Sequence, residues 1–185
     1  MTTLETETTQ TEMTCDTHTA EAGVTLMELI AALSVIAVII IGALALYGSA
    51  TTSQASTQLV SDITAIKSAT KQLFMGQGTY GVAGTNLNAT LIAANKIPTT
   101  IRANGAALNH SLNGQVTVTS NGGTFTIALT NIPISTCISL LTSAQDWASV
   151  TAPGGQTLAA NLPSTPANAT ARCNALGPMT FVSNN

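Results

Sequence analysis

Charge is scarce in this chain. Only 7% of its 185 residues are charged, against roughly 25% in an average soluble domain. Lys and Arg are missing from the first 66 residues, and the five present are Lys67, Lys71, Lys96, Arg102 and Arg172. With no basic cluster and only 3% aromatic residues, the chain lacks the groove a nucleic acid would need, and no such partner is expected. Histidine is as sparse: His18 and His110 stand far apart, and neither C-x-x-C nor H-x-x-x-H spacing occurs among the three cysteines and two histidines. No metal or other cofactor is therefore expected. There is no G-x-S-x-G, and Asp62 falls in a helical stretch, so no hydrolytic triad is indicated and an enzyme is not expected. Gly76-Gln77-Gly78 lacks the strand before and helix after that a phosphate loop requires. Scarcity of charge does not mean disorder here, because 45% of the residues are apolar.

What charge there is divides sharply. Glu5, Glu7, Glu12, Asp16 and Glu21 sit in the first 23 residues, which hold no base. The remainder carries three acids, Glu28, Asp62 and Asp146, against the five bases. The net −3 is thus an acidic start followed by a weakly basic body.

The longest apolar run is Leu29–Leu46, LIAALSVIAVIIIGALAL, interrupted only by Ser34 and Gly42. Eighteen helical residues span roughly 27 Å, close to the thickness of a bilayer's hydrocarbon core. The run predicts a membrane span over about 29–47. The polar, acidic residues before it have no apolar centre of their own, so they do not form an ordinary secretory leader. Any cleavage should precede the apolar helix and leave it on the mature chain. Charge leaves the orientation of the span open, since no base flanks it closely. Glu28 abuts the run with no basic neighbour. Two roles are open to it: a favourable partner of the helix dipole, or an acid at membrane depth that needs a partner and marks a functional contact.

Gly23-Val24-Thr25-Leu26-Met27-Glu28-Leu29-Ile30, followed by the long apolar helix, resembles the processing site of type IV pilins and pseudopilins. The resemblance implies that a prepilin peptidase cuts after Gly23 and methylates the new amine of Val24. It also implies that Glu28, then the fifth residue, pairs with the terminal amine of a neighbouring subunit during assembly. A Val at the first mature position and a 23-residue leader are similar to the type IVb branch. The implied partners are other copies of the chain, the peptidase, an inner-membrane assembly platform with its ATPase, and an outer-membrane secretin. The implied location is the inner membrane before assembly and an extracellular filament after it, with a host or recipient cell surface as a further contact.

Beyond the span the helical pattern continues through Leu59, Ile63, Ile66, Thr70 and Leu73, with Ser61, Asp62, Lys67 and Lys71 falling elsewhere. Gly76 and Gly78 provide a stop. One long helix is predicted over 24–75, with Gly42 and Gly48 as places for bending, local melting or close helix crossing. Residues 76–113 are Gly- and Asn-rich, with one short helix at Ala89–Lys96. Gln115–Ser120 and Thr124–Thr130 alternate apolar and polar residues around Asn121-Gly122-Gly123, a hairpin pattern. Ser135–Ser143 and Pro166–Ala175 read as short helices, Trp147–Thr151 and Pro178–Ser183 as strands. With the leader gone, Cys137 and Cys173 remain as one pair, which suits a disulfide in an oxidising compartment; two free buried thiols are the alternative.

The expected fold is α+β: a leader at 1–23, a long helix at 24–75, and a globular domain at 76–185 whose 137–173 region is bridged. That layout is similar to the major pilins of toxin-coregulated, bundle-forming and conjugative thin pili. The expected function is a structural filament subunit for adhesion, aggregation or mating-pair contact. The rivals are a minor pilin, a type II secretion pseudopilin, and a single-pass anchored binding module that never polymerises. His110 reads as a solvated loop residue, and the acceptor patterns at Asn88, Asn109 and Asn168 as accidents of an Asn- and Thr-rich sequence.

Overall fold

A computed structural model describes residues 25–159 and 162–184. Helix α1 runs from Leu26 to Leu73. It starts where Thr25 can accept a hydrogen bond from the free backbone N–H of Glu28, at 3.3 Å, and ends ahead of Gly76 and Gly78, both at positive φ (91° and 70°). The helix is continuous through Gly42 and Gly48. The chain divides after Ala43 into two units. In the first, the apolar side chains are exposed: Leu29, Leu33, Val35, Ile36, Val38, Ile39 and Ile41 are each at least half accessible.

In the second unit α1 buries one stripe, Ser56, Leu59, Ile63, Ile66 and Thr70, at alternating steps of three and four residues. These positions recur on one face of a 3.6-residue turn, and the stripe joins the core of the domain. After α1 come α2 (Asn88–Ala93), β1 (Arg102–Asn104), β2 (Ala107–Asn109), β3 (Gln115–Ser120), β4 (Phe125–Ile132), α3 (Ile134–Thr142), β5 (Trp147–Thr151), β6 (Thr157–Leu158), α4 (Pro166–Arg172) and β7 (Gly177–Ser183). The seven strands form one antiparallel sheet in the order β1-β2-β3-β4-β7-β5-β6.

Register explains the core. Val118, Ile127, Phe181 and Val150 lie opposite one another across four strands, and all four are buried. Leu108, Val116, Leu129 and Met179 form a second such row. A one-residue slip would turn these side chains to the other face, so the apolar alternation fixes the pairing. Strand β7 sits between β4 and β5 and joins the β1–β4 part of the sheet to β5 and β6.

The strands expected at 115–120, 147–151 and 178–183 are present, as are helices at 134–142 and 166–172. The stretch 76–113 departs from the loop expected of it. It contains the β1–β2 hairpin, turned at Gly105 with φ 58°, and a segment that extends the sheet. Gly84 and Leu87 N–H donate to Ser120 and Val118 carbonyls, while Ser120 N–H donates to Thr85. Helix α2 stops at Ala93, three residues short of the expected end, where Asn95 turns to φ 53°. In β4 the pairing with β7 shifts between Leu129 and Ile132, with Asn131 at φ 57°. This irregularity takes Thr130 and Asn131 out of the ladder and turns them towards the 110–115 turn.

Candidate functional site

Thr25 and Glu28 stand at the spacing of a capping box, in which the first residue satisfies an orphan N–H at the helix start. The Thr25 half of that exchange is present. The T-x-x-E pattern was legible in the sequence and specifies where α1 begins. Glu28 is exposed in the first turn of α1, next to the run of exposed apolar residues. α1 is long and apolar enough to cross a membrane, and none of its most apolar 18-residue window is buried. Gly23 and Val24, with Cys15, His18 and the rest of the expected leader, lie outside the described residues.

The globular half of α1 is tied down by polar groups as well as by its apolar stripe. Ser56 and Thr136 hydroxyls meet at 2.7 Å in the interior and couple α1 to α3. Lys67 Nζ donates to the carbonyl oxygens of Gln145 (3.3 Å) and Asp146 (2.5 Å) and lies 4.5 Å from the Trp147 ring centroid. Burial lowers the Lys67 pKa, and the nearby Asp146 partly opposes that. Asp62 is 2% exposed, which corrects its expected place off the buried face. Its Oδ1 accepts from Gln58 Nε2 (2.9 Å) and Thr100 Oγ1 (2.6 Å), and Oδ2 has no partner among the described residues. The spacing carried a signal, since position 62 falls between Leu59 and Ile66 at steps of three and four residues.

Cys137 and Cys173 form a disulfide with Cα atoms 5.8 Å apart. Both are buried, Cys137 within α3 and Cys173 as the residue that closes α4. The bridge staples two short helices that could not hold their positions on intrinsic propensity alone.

His110 corrects its expected role as a solvated loop residue. It is 3% exposed, its Nε2 donates to the Thr130 carbonyl at 3.0 Å, and Nδ1 accepts from Leu112 N–H at 3.2 Å. The ring is thus held as the neutral Nε2–H form. Burial lowers its pKa below the usual 6.5, with smaller opposing contributions from the Thr130 hydrogen bond and from Asp62. Asn88 is committed to structure. Its Nδ2 donates to Val116 (2.9 Å) and Ala106 (3.3 Å) carbonyls, and its Oδ1 accepts from Val118 N–H (2.9 Å). Nothing in the local sequence marked either residue as buried. At Gly48, an expected place for bending or melting, the carbonyl accepts hydroxyl hydrogen bonds from Thr51 and Thr52, both at 3.0 Å.

Comparison with known proteins bears on this arrangement. The family model described as PilS N terminal matches residues 52–184, well over half of the chain. No curated protein matches the sequence. Among solved structures, the chain is similar to TcpA, a type IV pilin from Vibrio cholerae El Tor biotype. That likeness has 16% identity and a TM-score of 0.49, and covers 71% of this chain and 99% of the other. The family match falls on the later half of α1 and the disulfide-stapled antiparallel domain on which it packs. The chain belongs to the PilS family of type IV pilins, the subunits of pili.

Proposed function

We propose that this chain is the major subunit of a type IVb pilus, made as a membrane-anchored precursor and assembled into an extracellular filament. The observation that carries this reading is the exposed apolar half of α1. Leu29 through Tyr47 offer a continuous apolar surface with none of its most apolar window buried, far beyond the few hundred Å² a soluble monomer exposes. Such a surface needs lipid first and other helices afterwards. Removal of residues 1–23 by a prepilin peptidase would leave a subunit with three acids against five bases, Val24 as its methylated first residue, and Glu28 as its fifth.

In the filament, Glu28 of one subunit pairs with the Val24 amine of another. A subunit docked out of register would bury a charge without its partner, a penalty of several kcal/mol. That pairing sets axial position, while the apolar faces supply most of the association energy. The assembly platform with its ATPase would extract the helix from the inner membrane, and the secretin would pass the filament outwards. The Thr-, Ser- and Asn-rich domain would form the outer surface, available for adhesion, aggregation or mating-pair contact.

Intact-mass and N-terminal measurement of the protein from cells tests this. The expected product begins at Val24, is one methyl group heavier than the unmodified chain, and has Cys137 and Cys173 linked. A chain that keeps Met1 overturns the reading. Abundance in sheared filaments separates a major subunit from a minor pilin or a secretion pseudopilin.

A further inference from the structure

The β1–β2 hairpin and the turn after it enclose a cleft of about 540 Å³, lined by Ala103, His110 and the polar side chains of Thr100, Arg102, Asn104, Asn109, Ser111 and Asn113. That size falls within the roughly 300–1,000 Å³ typical of small-molecule sites. Its polar wall follows from strand register. Arg102 lies opposite Asn109, and Leu108 is buried in the core. The two-residue alternation of a strand then puts Arg102, Asn104 and Asn109 together on the opposite face. The second wall is the 110–114 turn. It is held by His110 through Thr130 and Leu112, by His110 N–H to Gly114 O (2.9 Å), and by Asn113 N–H to His110 O (3.1 Å). Thr100 is fixed in turn by its hydrogen bond to Asp62, which is buried and does not line the cleft.

Five of the lining side chains are uncommitted. Among the described residues, the side chains of Arg102, Asn104, Asn109, Ser111 and Asn113 make no hydrogen bond to the protein, and Arg102 has no carboxylate partner. One planar guanidinium suits a carboxylate, which it can grip with two parallel hydrogen bonds. Three amides and a hydroxyl, each able to donate and accept, suit a set of vicinal hydroxyls. We propose that this cleft binds a carboxylate-bearing sugar residue, a hexuronic or sialic acid of a cell-surface polysaccharide. Arg102 takes the carboxylate, and Asn104, Asn109, Ser111 and Asn113 take the hydroxyls. A phosphate dianion would find only one cation here. With no Phe, Tyr or Trp in the lining, the affinity of one site is low. Repetition along a filament raises it by roughly 10²–10⁴ through avidity.

The cleft lies within one chain, so the test does not depend on polymerisation. Full-length protein in detergent micelles, labelled with ¹⁵N, is titrated with glucuronate, N-acetylneuraminate, glucose, acetate and inorganic phosphate. Both acidic sugars should produce saturable shifts at the backbone amides of Arg102, Asn104, Asn109, Ser111 and Asn113. Glucose and acetate should each bind at least roughly 10-fold more weakly, since each satisfies half of the lining. Arg102→Gln should weaken the acidic sugars roughly 10–100-fold, the usual effect of removing a charged hydrogen-bonding partner, with an otherwise unchanged spectrum. Asn109→Ala should reduce sugar binding while leaving acetate binding alone. The proposal is overturned by absence of shifts, by phosphate or acetate binding as well as the sugars, by equal binding of glucose, or by an Arg102→Gln protein that binds normally. Failure here with normal filaments would leave the filament reading intact; binding without filaments would do the reverse.

Discussion

At Gly114 there is no room for a methyl group. A Cβ built there would fall 2.0 Å from the Thr130 carbonyl oxygen and 2.3 Å from His110 Nε2. Glycine is required because the turn and the β4 irregularity approach each other through backbone. Gly114→Ala should lose roughly 2–3 kcal/mol of stability, in line with overpacked interiors, and thermal melting of the protein in detergent checks this. His110 adds a pH dependence at the same spot. Burial holds its folded pKa below the unfolded 6.5, so in that window the unfolded chain binds more protons and stability rises with pH. The contribution of neutral His110 is complete above about pH 6.5 and is lost as pH falls from there through the folded value. A protonated ring could no longer accept from Leu112. Urea midpoints measured from pH 7.5 to 5 should therefore fall, and His110→Gln should flatten that fall. An equal slope in the variant would assign it to the carboxylates instead.

At the scale of elements, polar side chains complete what short strands leave open. β2 pairs with β3 only at Val116 and Gln115, which leaves the far half of β3 to the 84–88 segment. Asn88 serves there as a substitute for backbone, pairing Val116 O and Val118 N–H from the start of α2. Asn88→Ala would leave both groups buried without partners, and each such group costs roughly 1–3 kcal/mol. The expected loss is about 2–4 kcal/mol, with faster hydrogen exchange confined to Val118 and its neighbours; exchange measured residue by residue decides it. The same commitment removes Asn88 as a glycosylation acceptor in the folded chain. The disulfide acts on α3 and α4 in a comparable way, and its 36-residue separation corresponds to about 3–4 kcal/mol in the chain-entropy model.

For the whole molecule, the two units of α1 answer to different surroundings. The domain half buries its stripe against its own chain, while the apolar first half has no such cover in the monomer. Glu28 lies at the start of the second kind of surface. Glu28→Ala should still be cut after Gly23, because the domain and the apolar helix are untouched, but should yield few filaments. Shearing the cells and weighing the recovered protein against its membrane-bound pool measures this. Normal filament yield from the variant would remove the proposed pairing with Val24.

The sequence by itself determined the elements that local chemistry dictates. The apolar first half of α1 follows from the uncharged run at 29–46, the 115–130 hairpin from two-residue alternation around Asn121-Gly122-Gly123, and the end of α1 from Gly76 and Gly78. It also left Cys137 and Cys173 as a pair once residues 1–23 were set aside. Only the tertiary structure decided the rest. Asp62 read as a surface group from its charge, although its spacing set it beside Leu59 and Ile66, and His110 because nothing local buries it; each is covered by residues 20 or more positions away, Thr100 and Thr130. β1 and β2 are three residues each, too short for a periodic signal, and exist because β3 offers them an edge. Arg102, Asn104 and Asn109 become one wall only when strand register sets them on one face, for alternation specifies which side a residue takes but not what will stand opposite it.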